Sequence, residues 1–265
     1  MKVKWIKRLS VLAVAVVATV TLAACGKSSS SSQANLITKG TLTVGLEGTY
    51  APYSYKENGK LKGFEVDLAR DVAKKLGYKV KFVPTKWDSL IAGLGSNKFD
   101  IVFNDLAETP QRKKAYAFST PYIYSKSALI TKKDSTISSI DDIKGQKVAA
   151  GTGTANESNV KKFGGTVVSS SDFASSMQLI QQGRVVAALN SNEAYAYYIK
   201  QNPNADLKSI EVPTIQIASQ KIAAMMSKNN KGLQKKVNKA LKELRQDGTL
   251  KKLSEKYFGT DLTEE

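Results

Sequence analysis

Arg112, in the segment TPQR, carries the most specific recognition chemistry in the sequence. A guanidinium presents a planar pair of donors that fits a carboxylate. Only five of the forty cationic residues are arginine, so the type is used sparingly. A surface arginine beside a helix start is the competing reading, and spacing alone favours it. The loop GTGTAN (Gly151–Asn156) lies between a predicted strand and a predicted helix, where free amides attract anions. Taken alone it is weak, being neither a Walker loop nor a full dinucleotide fingerprint. The chain has no histidine and one cysteine, Cys25. No disulfide within the chain, zinc site of Cys/His type, or His- or Cys-based catalysis is therefore available. No cofactor and no metal is expected.

Cys25 follows a basic segment (Lys2, Lys4, Lys7, Arg8) and a charge-free stretch from Leu9 to Ala24. That order describes an export signal over residues 1–24. Sixteen residues rise only about 24 Å as a helix, short of the roughly 30 Å hydrocarbon core. The segment LAAC resembles the lipobox of bacterial lipoproteins, which makes Cys25 the expected lipidation site. The Ser-rich residues 25–35 read as a flexible tether. Net charge is +17, and the leader holds four of those positive charges. Export and the scarcity of arginine argue against nucleic acid as the partner. The lysines read as a solvated surface biased toward an anionic envelope.

Beyond the tether, strands and helices alternate. TLTVGL (Thr41–Leu46), KVKFVP (Lys79–Pro84) and FDIVFN (Phe99–Asn104) read as strands, with a helix through Phe64, Leu68, Val72 and Leu76. A second set follows: strands at Ser127–Lys133, Lys147–Gly151, Gly165–Ser170 and Arg184–Asn190, and helices from Thr154, over Asp172–Gln182 and over Asn192–Lys200. Lys221–Ser227 reads as one apolar strand before a C-terminal helix facing inward through Leu233, Val237, Ala240, Leu241 and Leu244. The alternation predicts α/β lobes with largely parallel sheets and right-handed crossovers.

The blocks VGLEGTYAPYSY, GKLKGFEVDLARDVAKKLG, PTKWDSLIAGL, KFDIVFND and TPQRKKAYAFSTPY are similar to the first lobe of the amino-acid-binding proteins of ABC importers, bacterial solute-binding protein family 3. SIDDIKGQKVAAGTGTANE, QLIQQGRVVAAL and ALKELRQDGTLKKLSEKYFG continue the resemblance to Gly259. It implies an α/β, two-lobe, periplasmic-binding-protein-like (type II) fold, with a ligand cleft between lobes joined by two crossing strands. The crossings are expected near Tyr124–Ser127 and Ile215–Ser219. Lobe 1 is then residues 36–125 and 218–265, and lobe 2 residues 126–217. The resemblance further implies a monomeric binding protein rather than an enzyme. It would sit lipid-anchored on the extracellular face of the bacterial cytoplasmic membrane and deliver an amino acid to a membrane permease.

By the same resemblance Arg112 takes the ligand carboxylate, assisted by Thr154 and the amide of Ala155. Tyr50 and Trp87 pack on the ligand side chain, and Trp87 as a core residue of lobe 1 is an equal alternative. Asn104, Asp105 and Ala107 match a polar segment at a strand end, although relatives often carry Ser or Thr at Ala107. Many relatives have an Asp for the ligand ammonium where Ser191 stands here. A buried ammonium needs a carboxylate, and the candidates are Asp105, then Glu193, then Glu47. In binders of cationic amino acids, the position of Glu47 faces the distal cation. GLEGTY, PTKWDSL and FSTPY are most similar to the cystine-binding branch, which favours cystine, with a cationic or other polar amino acid as the alternative. Two other classes are weighed. One is a surface adhesin acting through the lysines, possible alongside transport. The other is a dehydratase, an activity found among relatives of the fold, which the retained Arg112 and the missing cleft acid do not favour.

Overall fold

The computed structural model describes residues 34–265. The export signal, Cys25 and all but the last two residues of the tether lie outside the described residues.

Strand β1 (Thr41–Leu46) is buried along nearly its whole length. The short hairpin β2 (Tyr55–Glu57) and β3 (Lys60–Lys62) turns at Asn58-Gly59, both at positive φ. Helix α1 (Phe64–Lys75) buries the predicted apolar face and also Glu65. Gly63 precedes it at φ 131, and a Cβ there would lie 2.2 Å from the carbonyl oxygen of Tyr53. Only glycine lets the helix start this close to the Tyr50–Ser54 turn. Next come β4 (Lys79–Pro84), α2 (Trp87–Gly95), β5 (Ile101–Val102), α3 (Pro110–Ala115), β6 (Tyr116–Phe118) and β7 (Ile123–Ser125). Regular pairing in the predicted strand Phe99–Asn104 narrows to the two residues of β5. The amides of Asp100 and Phe103 still reach the Thr43 and Gly45 carbonyls at 2.8 and 3.1 Å.

The second half runs β8 (Ser127–Lys132), a 3-10 turn at Ile140–Ile143, β9 (Lys147–Ala150), α4 (Ala155–Lys162), β10 (Thr166–Ser169), α5 (Phe173–Gln181), β11 (Ala187–Ser191), α6 (Asn192–Gln201) and β12 (Leu207–Glu211). Strand β11 starts three residues later than expected. The Arg184 amide closes a turn onto Leu179 instead, 3.0 Å away. The sheet order is β10-β9-β11-β8-β12, with the first three strands parallel and β8 antiparallel to both neighbours.

The chain then returns through β13 (Gln220–Ile222), β14 (Met225–Ser227), α7 (Lys231–Gln246) and α8 (Thr249–Phe258). The expected single strand Lys221–Ser227 is two. At the break, the Ala223 amide donates to the Leu106 carbonyl and the Ala224 amide to the Ser119 hydroxyl. Strand β13 pairs with β7 as a separate ribbon, while β14 joins the first sheet, ordered β4-β1-β5-β14-β6. The stretch expected to cross back begins as a turn, with the Gln216 and Ile217 amides bonded to the Pro213 carbonyl. Two α/β lobes thus stand on either side of the β7/β13 ribbon. We propose that lobe 1 comprises residues 36–125 and 218–265, and lobe 2 residues 126–217.

Candidate functional site

Between the lobes lies a cleft of about 690 Å³, its open mouth included. All ten residues expected to meet a ligand line it: Glu47, Tyr50, Trp87, Asn104, Asp105, Ala107, Arg112, Thr154, Ala155 and Ser191.

Arg112 enters from α3. Pro110 opens that helix, and the Thr109 hydroxyl caps it by accepting from the Arg112 amide at 3.2 Å. The guanidinium is not on the surface; the residue is 8% exposed. One terminal nitrogen donates to the Ala107 carbonyl at 3.1 Å, the other to the Gly153 carbonyl in lobe 2 at 3.0 Å. The Trp87 ring centroid lies 5.4 Å away, and the indole N–H donates across the cleft to the Thr152 carbonyl at 2.7 Å. Among the described residues, no carboxylate forms an ion pair with Arg112. Burial lowers its pKa to about 10, partly opposed by the charge of Asp105, so it stays cationic at neutral pH. Ala107 contributes its carbonyl, not a side-chain hydroxyl.

The acids of lobe 1 stand just past the ends of two parallel strands, where α/β sheets place ligands. Glu47 follows β1. Its amide donates to Asn104 Oδ1 at 2.8 Å, and Asn104 Nδ2 donates back to Glu47 Oε2 at 2.6 Å. Burial raises the Glu47 pKa to about 7; the Asn104 bond opposes this, and the charges of Asp172 and Asp88 add to it. Asp105, beyond β5, holds a left-handed backbone at φ 45. Its Oδ1 is buried with no partner among the described residues. Burial, then Glu65 and Glu193, push its pKa well up. The Tyr50 hydroxyl lies 2.7 Å from Asn190 Oδ1, 3.1 Å from Asp105 Oδ2 and 3.2 Å from Ser191 Oγ, so it ties both lobes together.

Lobe 2 answers with the starts of three helices. Thr154, Asp172 and Ser191 are the N-caps of α4, α5 and α6, and all three line the cleft. Thr154 Oγ1 accepts from the Glu157 amide at 3.0 Å and donates to the Gly151 carbonyl at 2.7 Å. Asp172 Oδ1 accepts from the Ser175 amide at 2.7 Å. Asp172, Phe173, Asn190 and Gln220 also line the cleft and were not anticipated. The sequence marks Asp172 only as the beginning of a helix; a carboxylate capping a helix that follows a strand end is the available signal. Glu193, the second candidate for the ammonium, does not line the cleft. It is held below it by the Ser125 hydroxyl at 2.9 Å and the Tyr53 hydroxyl at 3.4 Å. Of the candidate acids, Asp105 and Glu47 remain.

Two α/β lobes closing on a polar cleft that holds a buried cation define a two-lobe solute-binding protein. The model of the family "Bacterial extracellular solute-binding proteins, family 3" matches residues 42–260, and the chain belongs to that family. It is 40% identical over 230 residues to the L-cystine-binding protein TcyJ of Escherichia coli K12, covering 85% of each chain. An ancestral arginine-binding protein bound to arginine superposes with a TM-score of 0.77 at 39% identity, covering 83% of this chain and 99% of that one. The L-cystine solute receptor of Neisseria gonorrhoeae, described as unliganded and open, gives 0.60 at 41% identity over 86% and 96%. Here Arg112, Trp87 and Tyr50 hydrogen-bond across the cleft. Among the described residues, no helix is long and apolar enough to cross a membrane.

Proposed function

We propose that the protein is the extracellular substrate-binding component of an amino-acid ABC importer, capturing its ligand by cleft closure and passing it to a membrane permease. One observation carries the reading: a buried arginine facing a cleft, with two carbonyl partners and, among the described residues, no carboxylate. The desolvation of such a cation is offset when a ligand carboxylate meets it, since charge-assisted bidentate bonds are strong at low dielectric. Asp105, with one buried oxygen unpartnered, complements an α-ammonium, and Tyr50 and Trp87 cover the side chain. The ligand we place first is cystine, by likeness to the cystine-binding relatives. Glu47 and Asp172 suit a second cationic group, which cystine and arginine both have. Thr154 and the amide of Ala155, which line the same cleft from lobe 2, complete the shell for that carboxylate in this reading. The binding reading does not include catalysis, because the family and the relatives it matches are solute-binding proteins. In the proposed setting, Cys25 is lipidated and anchors the chain outside the cell.

The test is a thermal-shift panel of the amino acids and cystine on protein lacking residues 1–24. A ligand at 100 times its Kd adds about 2.7 kcal/mol to stability. A clear rise with cystine, arginine or another polar amino acid is the expected result. Silence across the panel contradicts the reading, and chemical alteration of a ligand recovered after incubation contradicts the exclusion of catalysis.

A further inference from the structure

Glu65 is an acid in the core of lobe 1, fully buried, and it does not line the cleft. It is the second residue of α1. The amides of Phe64 and Glu65 donate to the Pro52 and Tyr53 carbonyls at 2.9 and 3.0 Å, seating the helix start on the turn that carries Tyr50. Gly63 permits that approach, as described above. From this seat, Glu65 Oε1 accepts from the Tyr122 hydroxyl and from the backbone amide of Asp105, the latter at 2.7 Å. Oε2 is buried and has no partner among the described residues.

We propose that Glu65 is a positioning residue for the ligand's α-ammonium, acting through the backbone of Asp105. The inference rests on the amino-acid reading of the cleft. Asp105 needs an outside hold because its left-handed backbone is uncommon for a residue with a side chain. Its part-buried amide, just past the strand end, has Glu65 as its acceptor. The neighbouring Asn104 is clamped to Glu47 through both ends of its side-chain amide. With residues 104 and 105 fixed from both sides, the Asp105 carboxylate is left with one oxygen on Tyr50 and the other free. A free acceptor at this point can take an ammonium whose carboxylate is held by Arg112. Glu65 sets that oxygen's place without touching the ligand.

The experiment compares each amino acid with the same molecule lacking its α-amino group: L-arginine with guanidinopentanoate, and L-cystine with dithiodipropionate. Wild type and variants are titrated by calorimetry at neutral pH, with melting temperatures recorded separately. Wild type is expected to prefer the amino acid by roughly 100-fold, the scale of an unpaired buried charge. Glu65→Asp keeps the charge but draws the acceptor oxygen back by one methylene. It should reduce that preference at least about tenfold while leaving the des-amino affinity within about threefold. Glu65→Gln keeps an acceptor oxygen in place and should retain the preference within about threefold. Tyr122→Phe removes the other donor to Glu65; it should lower the melting temperature and keep the preference. If Glu65→Asp lowers only the melting temperature and keeps the full preference, Glu65 is structural and the inference fails. If Glu65→Gln loses as much preference as Glu65→Asp, the acceptor oxygen is not the device and the inference fails. Wild type that binds neither amino acid overturns the amino-acid reading itself, a distinguishable result.

Discussion

The two walls of the cleft are built from different materials. Lobe 1 supplies ionisable groups, the cation Arg112 and the buried acids Glu47 and Asp105, each braced by a neighbour. Lobe 2 supplies mainly the capped starts of α4, α5 and α6, with Asp172 its one lining charge. A charge held at low dielectric discriminates strongly between ligands. A helix start whose cap already accepts an amide offers only residual amides and a dipole, worth about 1 kcal/mol. On this difference we propose that selection rests with lobe 1 and the reporting of closure with lobe 2. Lobe 2 already contacts the selecting residues, because the Gly153 and Thr152 carbonyls accept from Arg112 and Trp87.

The largest effect that could break this contrast is at Arg112. Arg112→Ala should weaken any α-amino-acid ligand by about 3–5 kcal/mol, or 100-fold and more, in a calorimetric titration. The melting temperature of ligand-free protein should stay close to wild type, because a desolvated cation is removed. Affinity within tenfold of wild type would move selection away from lobe 1.

Next is the proton balance of the buried acids. The folded pKa values of Glu47 and Glu65 are about 7, above the ordinary 4.5. Both are raised chiefly by burial. The folded state therefore binds protons more tightly than the unfolded chain between those values. Their contribution is fully present below pH 4.5 and is lost as pH rises through 7, at up to about 3 kcal/mol per group. Denaturant titrations from pH 4.5 to 7.5 should show ligand-free stability declining. Glu47→Gln and Glu65→Gln should each flatten the decline. Unchanged slopes in both would show that these acids ionise as freely folded as unfolded.

Glu47→Gln should also weaken arginine and cystine about tenfold, and a neutral amino acid by less than threefold, since one partly screened ion pair is lost. Equal loss for all ligands would show that Glu47 does not read the distal group. The smallest effect falls on lobe 2. Thr154→Ala should lower stability by about 1 kcal/mol through its lost cap and affinity by less than tenfold. A loss matching that of Arg112→Ala would erase the distinction between the walls.

Much of this contrast is legible in the residues themselves. The strand–helix alternation is periodic, so β1, α1, β4 and α7 could be read off directly. Arg112 stood out through its chemistry and the family blocks around it. Pairing between distant strands was less accessible. Lys221–Ser227 is one apolar run, and nothing local says that its two ends join different sheets. The antiparallel edge strand β12 follows a helix without a distinctive signal. In the site, Asp172 looked like an ordinary helix start because its place in the cleft depends on how the lobes meet. Glu65 is a first-turn acid, a type the helix dipole favours in any case. Its partner lies forty residues away, and no spacing rule reaches that far.

The most direct test of the central claim is a crystal structure of the protein with the ligand identified by the thermal-shift panel. The account predicts a ligand carboxylate within about 3 Å of the Arg112 guanidinium nitrogens, with the α-ammonium on Asp105. A ligand whose carboxylate is held elsewhere, with Arg112 still bonded only to the carbonyls of Ala107 and Gly153, would contradict it.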